Sequence, residues 1–176
     1  MLNPLTKQDI LKILHGVDSR LNQEKGIILC GAAALILQDF PFRKTTDIDF
    51  TVVPDVALQN LITQVIMECK YPPITNDFKA AGVIALLEDY EDRLVQIKDN
   101  FKHLSVFVLS LIDWAVSKLQ SPKLDDLWMS GLITAKHCEE IEPHMSRYCG
   151  LNAEAALRDL LYVKERLKEM EESKRA

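Results

Sequence analysis

The stretch RKTTDIDFTVVPD, residues 43–55, indicates both how this chain folds and where its chemistry lies. Apolar and polar residues alternate through it, which predicts a β-strand with one buried face. Because alternate side chains of a strand share a face, Ile48 and Phe50 are expected in the core. Asp47 and Asp49 then lie together on the opposite face.

Two aspartates on one face of a strand require an explanation, because Asp fits a strand poorly and like charges repel. A hard divalent cation such as magnesium would neutralise both carboxylates, and magnesium prefers oxygen ligands. The alternative is a pair of solvent-facing acids on an edge strand, neutralised by Arg43 or Lys44. The Asp-x-Asp pattern alone leaves both interpretations open.

The preceding segment, ILCGAAALIL at residues 28–37, predicts a short strand, a glycine turn and a helix. A helix that begins behind a glycine presents backbone N–H groups, which suit a phosphate. The small residues Gly31 and Ala32 would let a ligand approach the backbone. Followed by the two aspartates, the segment predicts a phosphate site next to a cation site.

Composition excludes several other classes of protein. The 176 residues carry a formal net charge of −5, which does not indicate a nucleic-acid-binding surface. No secretory signal or membrane-spanning run is recognisable, so we expect a cytoplasmic protein without a membrane partner. The cysteines show no CxxC spacing, and HCEEIEPHMSRYC, residues 137–149, matches no common zinc pattern. We therefore expect neither zinc nor a disulfide.

The order of helical and strand patterns predicts an α+β fold with a small mixed sheet. Residues 1–110 form the predicted α/β core, and residues 111–176 a helical part packed on it as one compact unit. YPPITND, residues 71–77, is predicted as a turn region. AGVIALL, RLVQI and HLSVFVLS, which begin at residues 81, 93 and 103, are predicted as strands.

The segments LCGAAALIL and FRKTTDIDF resemble the signature of the nucleotidyltransferase superfamily, which shares the fold of DNA polymerase beta. The RxTxDID form is similar to a bacterial branch that includes AbiEii-type toxins of toxin–antitoxin systems. Two later segments, YEDRLVQI at residues 90–97 and DWAVSKLQSPKLDDL at residues 113–127, also resemble these relatives. The resemblance covers roughly residues 26–130.

This resemblance implies that Asp47 and Asp49 ligate Mg²⁺ and take part in catalysis. It implies that Gly31 and Ala32 hold a nucleoside triphosphate. The further residues to which it assigns a role are Arg43, Thr45 and Thr46 in nucleotide binding, and Lys118, Asp125 and Asp126 in catalysis.

Two features depart from the superfamily pattern. Ala32 replaces the usual Gly or Ser, and the strand expected to supply a third carboxylate, RLVQI, carries Gln96 instead. Two functions therefore stay open. One is an enzyme that transfers a nucleotide from a triphosphate to an unknown acceptor, such as RNA, protein or a small molecule, as part of a toxin–antitoxin pair. The other is a catalytically weak protein of this fold that binds a nucleotide or a partner such as an antitoxin.

Overall fold

The computed structural model describes residues 4–41, 45–51, 55–69, 76–79 and 85–174, with only the backbone of residues 76–79. The chain divides into two compact units. The first comprises Met1–Val83 and Leu94–Leu109, and the second comprises Ile84–Arg93 and Ser110–Ala176. None of the described helices is both long enough and apolar enough to cross a membrane.

The first unit contains three helices and five strands among its described residues. In chain order they are α1 (Lys7–Asp18), β1 (Lys25–Cys30), α2 (Gly31–Leu37), β2 (Ile48–Thr51), α3 (Val56–Glu68), β3 (Asn76–Lys79), β4 (Val95–Gln96) and β5 (Leu104–Val108). Side chains cap the N-termini of two of these helices. Thr6 and Asp9 form a capping box at α1, and the Asp55 carboxylate accepts two backbone N–H groups of α3.

The five strands form one mixed sheet in the order β3-β2-β1-β5-β4. β1 is antiparallel to β2 and parallel to β5, β2 is parallel to β3, and β4 is antiparallel to β5. This arrangement confirms the predicted α+β fold with a mixed sheet. It also places β2, the strand that follows Asp47, between β1 and β3.

The helices of the first unit cover the apolar face of the sheet. Ile48 and Phe50 are fully buried, as predicted from their alternation with the aspartates. Their side chains belong to a core cluster with residues of the three helices, such as Ile13 in α1, Ala34 in α2 and Ile62 in α3. Apolar burial on this face therefore fixes which way β2 faces.

One turn prediction is wrong in part, and one strand prediction is not confirmed in the residues that the structure describes. The turn predicted for YPPITND is wrong at its last two residues, because Asn76 and Asp77 belong to β3. The strand predicted at AGVIALL lies partly outside the described residues, and its end at Leu87 forms only an isolated bridge with Tyr148. The strands predicted in RLVQI and HLSVFVLS are present, as β4 and β5.

The second unit is helical among its described residues, as predicted for the C-terminal part. Its elements are a 3-10 helix (Tyr90–Arg93), α4 (Leu111–Val116), α5 (Asp126–Met129), α6 (Ala135–Ile141), a second 3-10 helix (Glu142–Arg147) and α7 (Ala153–Ser173). Asn152 caps α7 through a hydrogen bond from the Ala155 N–H. Pro143 lies where α6 gives way to the 3-10 helix.

Buried and half-buried charges connect the first 3-10 helix to α4. The Arg93 guanidinium donates to both carboxylate oxygens of Asp113, at 2.7 and 3.2 Å, and Asp113 is fully buried. Arg93 and Arg147 each lie 2.7 Å from a carboxylate oxygen of Asp89. The hydrogen bond from Arg93 and, to a smaller extent, the charge of Arg147 hold the pKa of Asp89 below its usual value. The resemblance segments YEDRLVQI and DWAVSKL thus meet in an ion-pair network.

Candidate functional site

The carboxylate of Asp49 lies directly against Gly31. In the ladder between β1 and β2, Cys30 is the partner of Asp49, so Gly31, the next residue, begins α2 beside it. A Cβ added at Gly31 would overlap Oδ2 of Asp49 and lie 3.2 Å from its Cγ. Gly31 also has φ of +63°, a left-handed conformation that glycine adopts without steric cost. Both the space and the backbone therefore require glycine here.

Asp47 lies one residue before β2 begins and is held by the two preceding threonines. Its N–H donates to the Thr45 hydroxyl at 3.1 Å, and this hydroxyl lies 3.4 Å from the Asp47 carbonyl oxygen. The Thr46 hydroxyl lies 3.4 Å from Oδ1 of Asp47. All three residues are half-buried. The structure thus fixes the backbone and the carboxylate of Asp47 locally.

The donor atoms where β1 ends and β2 begins suit magnesium. Asp47 and Asp49 offer carboxylate oxygens, and no softer donor is needed for a cation that prefers oxygen. The Asp49 carboxylate occupies the space that a side chain at position 31 would take. Where side chains are described, no group of three or more His, Cys, Asp or Glu residues could hold a metal ion.

A third aspartate lies on the strand next to β2. Asp77 of β3 is the register partner of Asp49 in the parallel ladder between the two strands. The choice of RLVQI as that neighbouring strand is wrong, because β4, which contains Gln96, pairs with β5 at the opposite edge of the sheet. Gln96 therefore does not occupy the third-carboxylate position.

The signal for Asp77 was present in the sequence but weak. Asn76 and Phe78 alternate with Asp77 and Lys79, as Ile48 and Phe50 alternate with the first two acids. The preceding prolines in YPPITND and the high turn propensity of Asn and Asp favoured a turn instead. Only the pairing of β3 with β2 shows which acid lies opposite Asp49.

The remaining predicted site residues fall in three places. Ala32 lies in the first turn of α2, next to Gly31, and is half-buried. Arg43 lies outside the described residues. The other three, Lys118, Asp125 and Asp126, belong to the second unit, and their role in catalysis stays a prediction.

Within the second unit, Lys118 follows α4 and its ammonium lies 5.6 Å from the centre of the Trp114 ring. Lys118 is half-buried, and this distance suits a cation–π contact with the fully buried Trp114. Asp125 occupies the N-cap position of α5 and is exposed, whereas Asp126 is half-buried.

Asp113, the first residue of DWAVSKLQ, has a structural role in this geometry. It accepts hydrogen bonds from Arg93 and from the hydroxyl of Ser110, the N-cap residue of α4. A fully buried carboxylate with these partners anchors the start of the helix.

Comparisons with known proteins agree with this geometry at the level of the family. No curated protein and no solved structure was found to match the chain. A family model described as a nucleotidyltransferase of unknown function (DUF6036) matches residues 7–146, a range that includes the Gly31 turn, both aspartates before and within β2, and the Arg93–Asp113 pair. Because the match covers most of the sequence, the chain belongs to this family of nucleotidyltransferases of unknown function.

Proposed function

We propose that this protein is a magnesium-dependent nucleotidyltransferase that transfers a nucleotide from a nucleoside triphosphate to an acceptor. The observation that carries the proposal is the contact between the Asp49 carboxylate and the Gly31 backbone. This contact brings the acidic strand β2 next to the glycine turn at the end of β1. Membership of the nucleotidyltransferase family supports the same chemistry.

In this proposal Asp47 and Asp49 would hold Mg²⁺, and Asp77, the register partner of Asp49 on β3, would be the third acidic residue of the site. The cation would neutralise charge on the triphosphate and on the developing leaving group. Gly31 and Ala32 let the phosphates approach the backbone closely. The protein's own contribution is to hold the acids rigidly, so that the acceptor oxygen and the α-phosphorus can align.

The acceptor belongs to the proposal only as a class: RNA, a protein or a small molecule. The role within a toxin–antitoxin pair is likewise part of the proposal, supported by the resemblance of RxTxDID to AbiEii-type toxins. A cytoplasmic location also belongs to the proposal. The alternative, a catalytically weak nucleotide-binding protein, is favoured by Ala32 at a position where relatives carry Gly or Ser.

Incubation with each of four α-labelled nucleoside triphosphates and Mg²⁺, with and without cell extract, tests the proposal. We expect label on a macromolecule or small acceptor, dependent on Mg²⁺. Saturable, Mg²⁺-dependent binding of triphosphate without transfer would support the alternative. If the protein shows no transfer and no binding at millimolar triphosphate, both functions are contradicted.

The double variant Asp47→Asn, Asp49→Asn tests whether these two residues bind the metal. We expect Mg²⁺-dependent triphosphate binding to fall by at least about a hundredfold, because two charged ligands are lost, while the circular dichroism spectrum stays unchanged. Asp39→Asn is the matched control, because Asp39 is exposed and pairs only at the surface with Lys7 at 2.6 Å. Binding at wild-type strength in the folded double variant would exclude the aspartates as the metal site.

A further inference from the structure

Thr45, which lies three residues before β2, is held by its carbonyl and by its hydroxyl. The Thr45 carbonyl accepts the N–H of Leu5 at 2.8 Å, and Leu5 is buried. The Thr45 hydroxyl accepts the N–H of Asp47 at 3.1 Å and lies 3.4 Å from the Asp47 carbonyl oxygen. A side chain that bonds to the backbone two residues ahead fixes a turn in the main chain.

These contacts leave the hydroxyl poorly suited to bind phosphate. A threonine hydroxyl has one hydrogen to donate, whereas phosphate oxygens at neutral pH mainly accept hydrogen bonds. In this structure the Thr45 hydroxyl lies 3.4 Å from the Asp47 carbonyl oxygen, to which it can donate its hydrogen. A phosphate could receive it only if that contact were given up.

We propose that Thr45 is a positioning residue for the metal site, which fixes the main chain of Asp47 and thereby holds its carboxylate beside Asp49. The inference rests on the proposed function, because it assumes that the two carboxylates bind a divalent cation. It departs from the role in phosphate binding that the family resemblance implies for Thr45.

The chemistry follows from where Asp47 lies. It immediately precedes the first residue of β2, Ile48, and its N–H donates to the Thr45 hydroxyl at 3.1 Å. The threonine hydroxyl supplies the acceptor for that N–H. Without the hydroxyl, the Asp47 carboxylate would sample more orientations, and the ordering would have to occur when the metal binds.

The experiment compares Thr45→Val, which has nearly the same shape but no hydroxyl, with Thr45→Ser, which keeps the hydroxyl. Thr45→Ala serves as a second hydroxyl-free variant if the valine protein does not fold. Thr63→Val is the matched control, because the Thr63 hydroxyl donates within α3 to the Gln59 carbonyl at 2.9 Å. Three quantities are measured: hydrogen exchange of the Asp47 amide without ligand, affinity for Mn²⁺ alone, and affinity for inorganic tripolyphosphate without metal.

We expect Thr45→Val to speed exchange of the Asp47 amide and to weaken Mn²⁺ binding by about fivefold, the effect of one lost hydrogen bond. Thr45→Ser and Thr63→Val should stay close to wild type, and tripolyphosphate affinity should not change. Weaker tripolyphosphate binding with unchanged Mn²⁺ affinity would overturn the inference and assign Thr45 to phosphate. Unchanged exchange and Mn²⁺ affinity would also overturn it. A wild-type protein that binds neither Mn²⁺ alone nor a nucleoside triphosphate in the presence of Mn²⁺ would instead remove the proposed function, and this inference with it. If wild type binds Mn²⁺ only together with triphosphate, the variants are compared by their Mn²⁺ affinity in that complex.

Discussion

At the scale of single residues, the candidate site depends on a glycine whose replacement is doubly unfavourable. Gly31→Ala would place a methyl group into the Asp49 carboxylate and force an alanine into the left-handed region. We expect Mg²⁺-dependent triphosphate binding to fall at least about tenfold, and the free energy of unfolding to fall by about 1–2 kcal/mol.

Gly26→Ala is the control for this change. Gly26 lies in the same strand–helix region, on β1, and a Cβ there would meet nothing within 4 Å. We expect it to bind triphosphate like wild type. Isothermal titration measures triphosphate binding, and chemical unfolding measures the free energy of unfolding. Wild-type binding by Gly31→Ala would show that the Gly31 turn is not part of the site.

Residues of the site that are close in sequence were predictable, and residues brought together by the fold were not. Gly31, Asp47 and Asp49 lie within 19 residues of one another, and strand alternation with a glycine turn sufficed to find them. Asp77 required the pairing of β2 with β3, and that pairing leaves no periodic signal along the chain.

At the scale of elements, a buried carboxylate joins the end of α1 to the start of β5. Asp18 is 7% exposed and accepts the backbone N–H groups of Lys102, His103 and Leu104, at distances of 2.7 to 3.1 Å. Burial raises its pKa, but the three hydrogen bonds together outweigh burial and lower the pKa below the ordinary 3.8. The carboxylate is therefore stabilised in its charged form.

A lowered pKa in the folded state makes stability depend on pH in a defined direction. The contribution of Asp18 is fully present well above pH 3.8 and is lost as pH falls from there through the folded-state pKa. We expect Asp18→Asn to lower the free energy of unfolding at pH 7 by roughly 2 kcal/mol, because an amide cannot accept all these bonds. The difference between the two proteins should shrink as pH falls below about 4.

Denaturant unfolding at several pH values measures this difference. Asp99→Asn is the control: the exposed Asp99 accepts the Asn100 N–H at 2.7 Å and lies 3.5 Å from His15. An amide oxygen can still accept that N–H, so we expect a much smaller loss of stability than for Asp18→Asn. A difference between wild type and Asp18→Asn that is the same at pH 7 and pH 3 would show that the charge of Asp18 is not what stabilises the contact.

The close packing of α1 on α3 gives a second prediction for an element. A Cβ at Gly16 would lie 2.8 Å from Cγ1 of Val65, which is buried and has a stiff, β-branched side chain. Alanine would favour the helix by up to about 1 kcal/mol, but overpacking costs about 1–3 kcal/mol. We expect Gly16→Ala to destabilise the protein on balance.

A compensating change separates packing from other causes. In the Gly16→Ala, Val65→Ala double variant the new methyl group occupies space that Val65 has vacated, so the two effects should not add. Thermal unfolding of both single variants and the double variant gives the coupling. Strictly additive losses would mean that Gly16 and Val65 do not compete for the same space.

Local sequence signals explain which helices and strands could be predicted. The helices carry strong apolar periodicity and caps such as Thr6 and Asn152, so their positions were predictable. β3 is short, follows two prolines and contains Asn and Asp, so its local propensity favours a turn. It forms a strand because β2 offers it a ladder of hydrogen bonds, which is a tertiary effect.

At the scale of the whole molecule, the two compact units do not correspond to a division of the chain at residue 110. Ile84–Arg93 belongs to the second unit, although Leu94–Leu109 after it returns to the first. Long-range contacts hold this segment there: Leu87 bridges Tyr148, and Arg93 pairs with Asp113. Contacts over such sequence separations cannot be read from local patterns.

Both tryptophans of the chain, Trp114 and Trp128, lie in the second unit, so their fluorescence reports its unfolding specifically. Arg93→Met would leave the fully buried Asp113 carboxylate without its guanidinium partner. Removing one partner of a buried pair costs about 3–5 kcal/mol, so we expect the fluorescence transition to move to markedly lower denaturant.

The double change Arg93→Met with Asp113→Leu decides why stability is lost. Replacing both partners by apolar residues removes the orphaned charge, and we expect it to restore most of the loss, because a buried ion pair stabilises little beyond an apolar pair of similar volume. Arg166→Met, which removes an exposed pair with Glu169 in α7, is the control and should hardly move the transition. If the double variant is as unstable as Arg93→Met, the network stabilises the second unit through its geometry, including the contacts of Arg93 with Asp89, and the burial of an unpaired Asp113 is not the main cost.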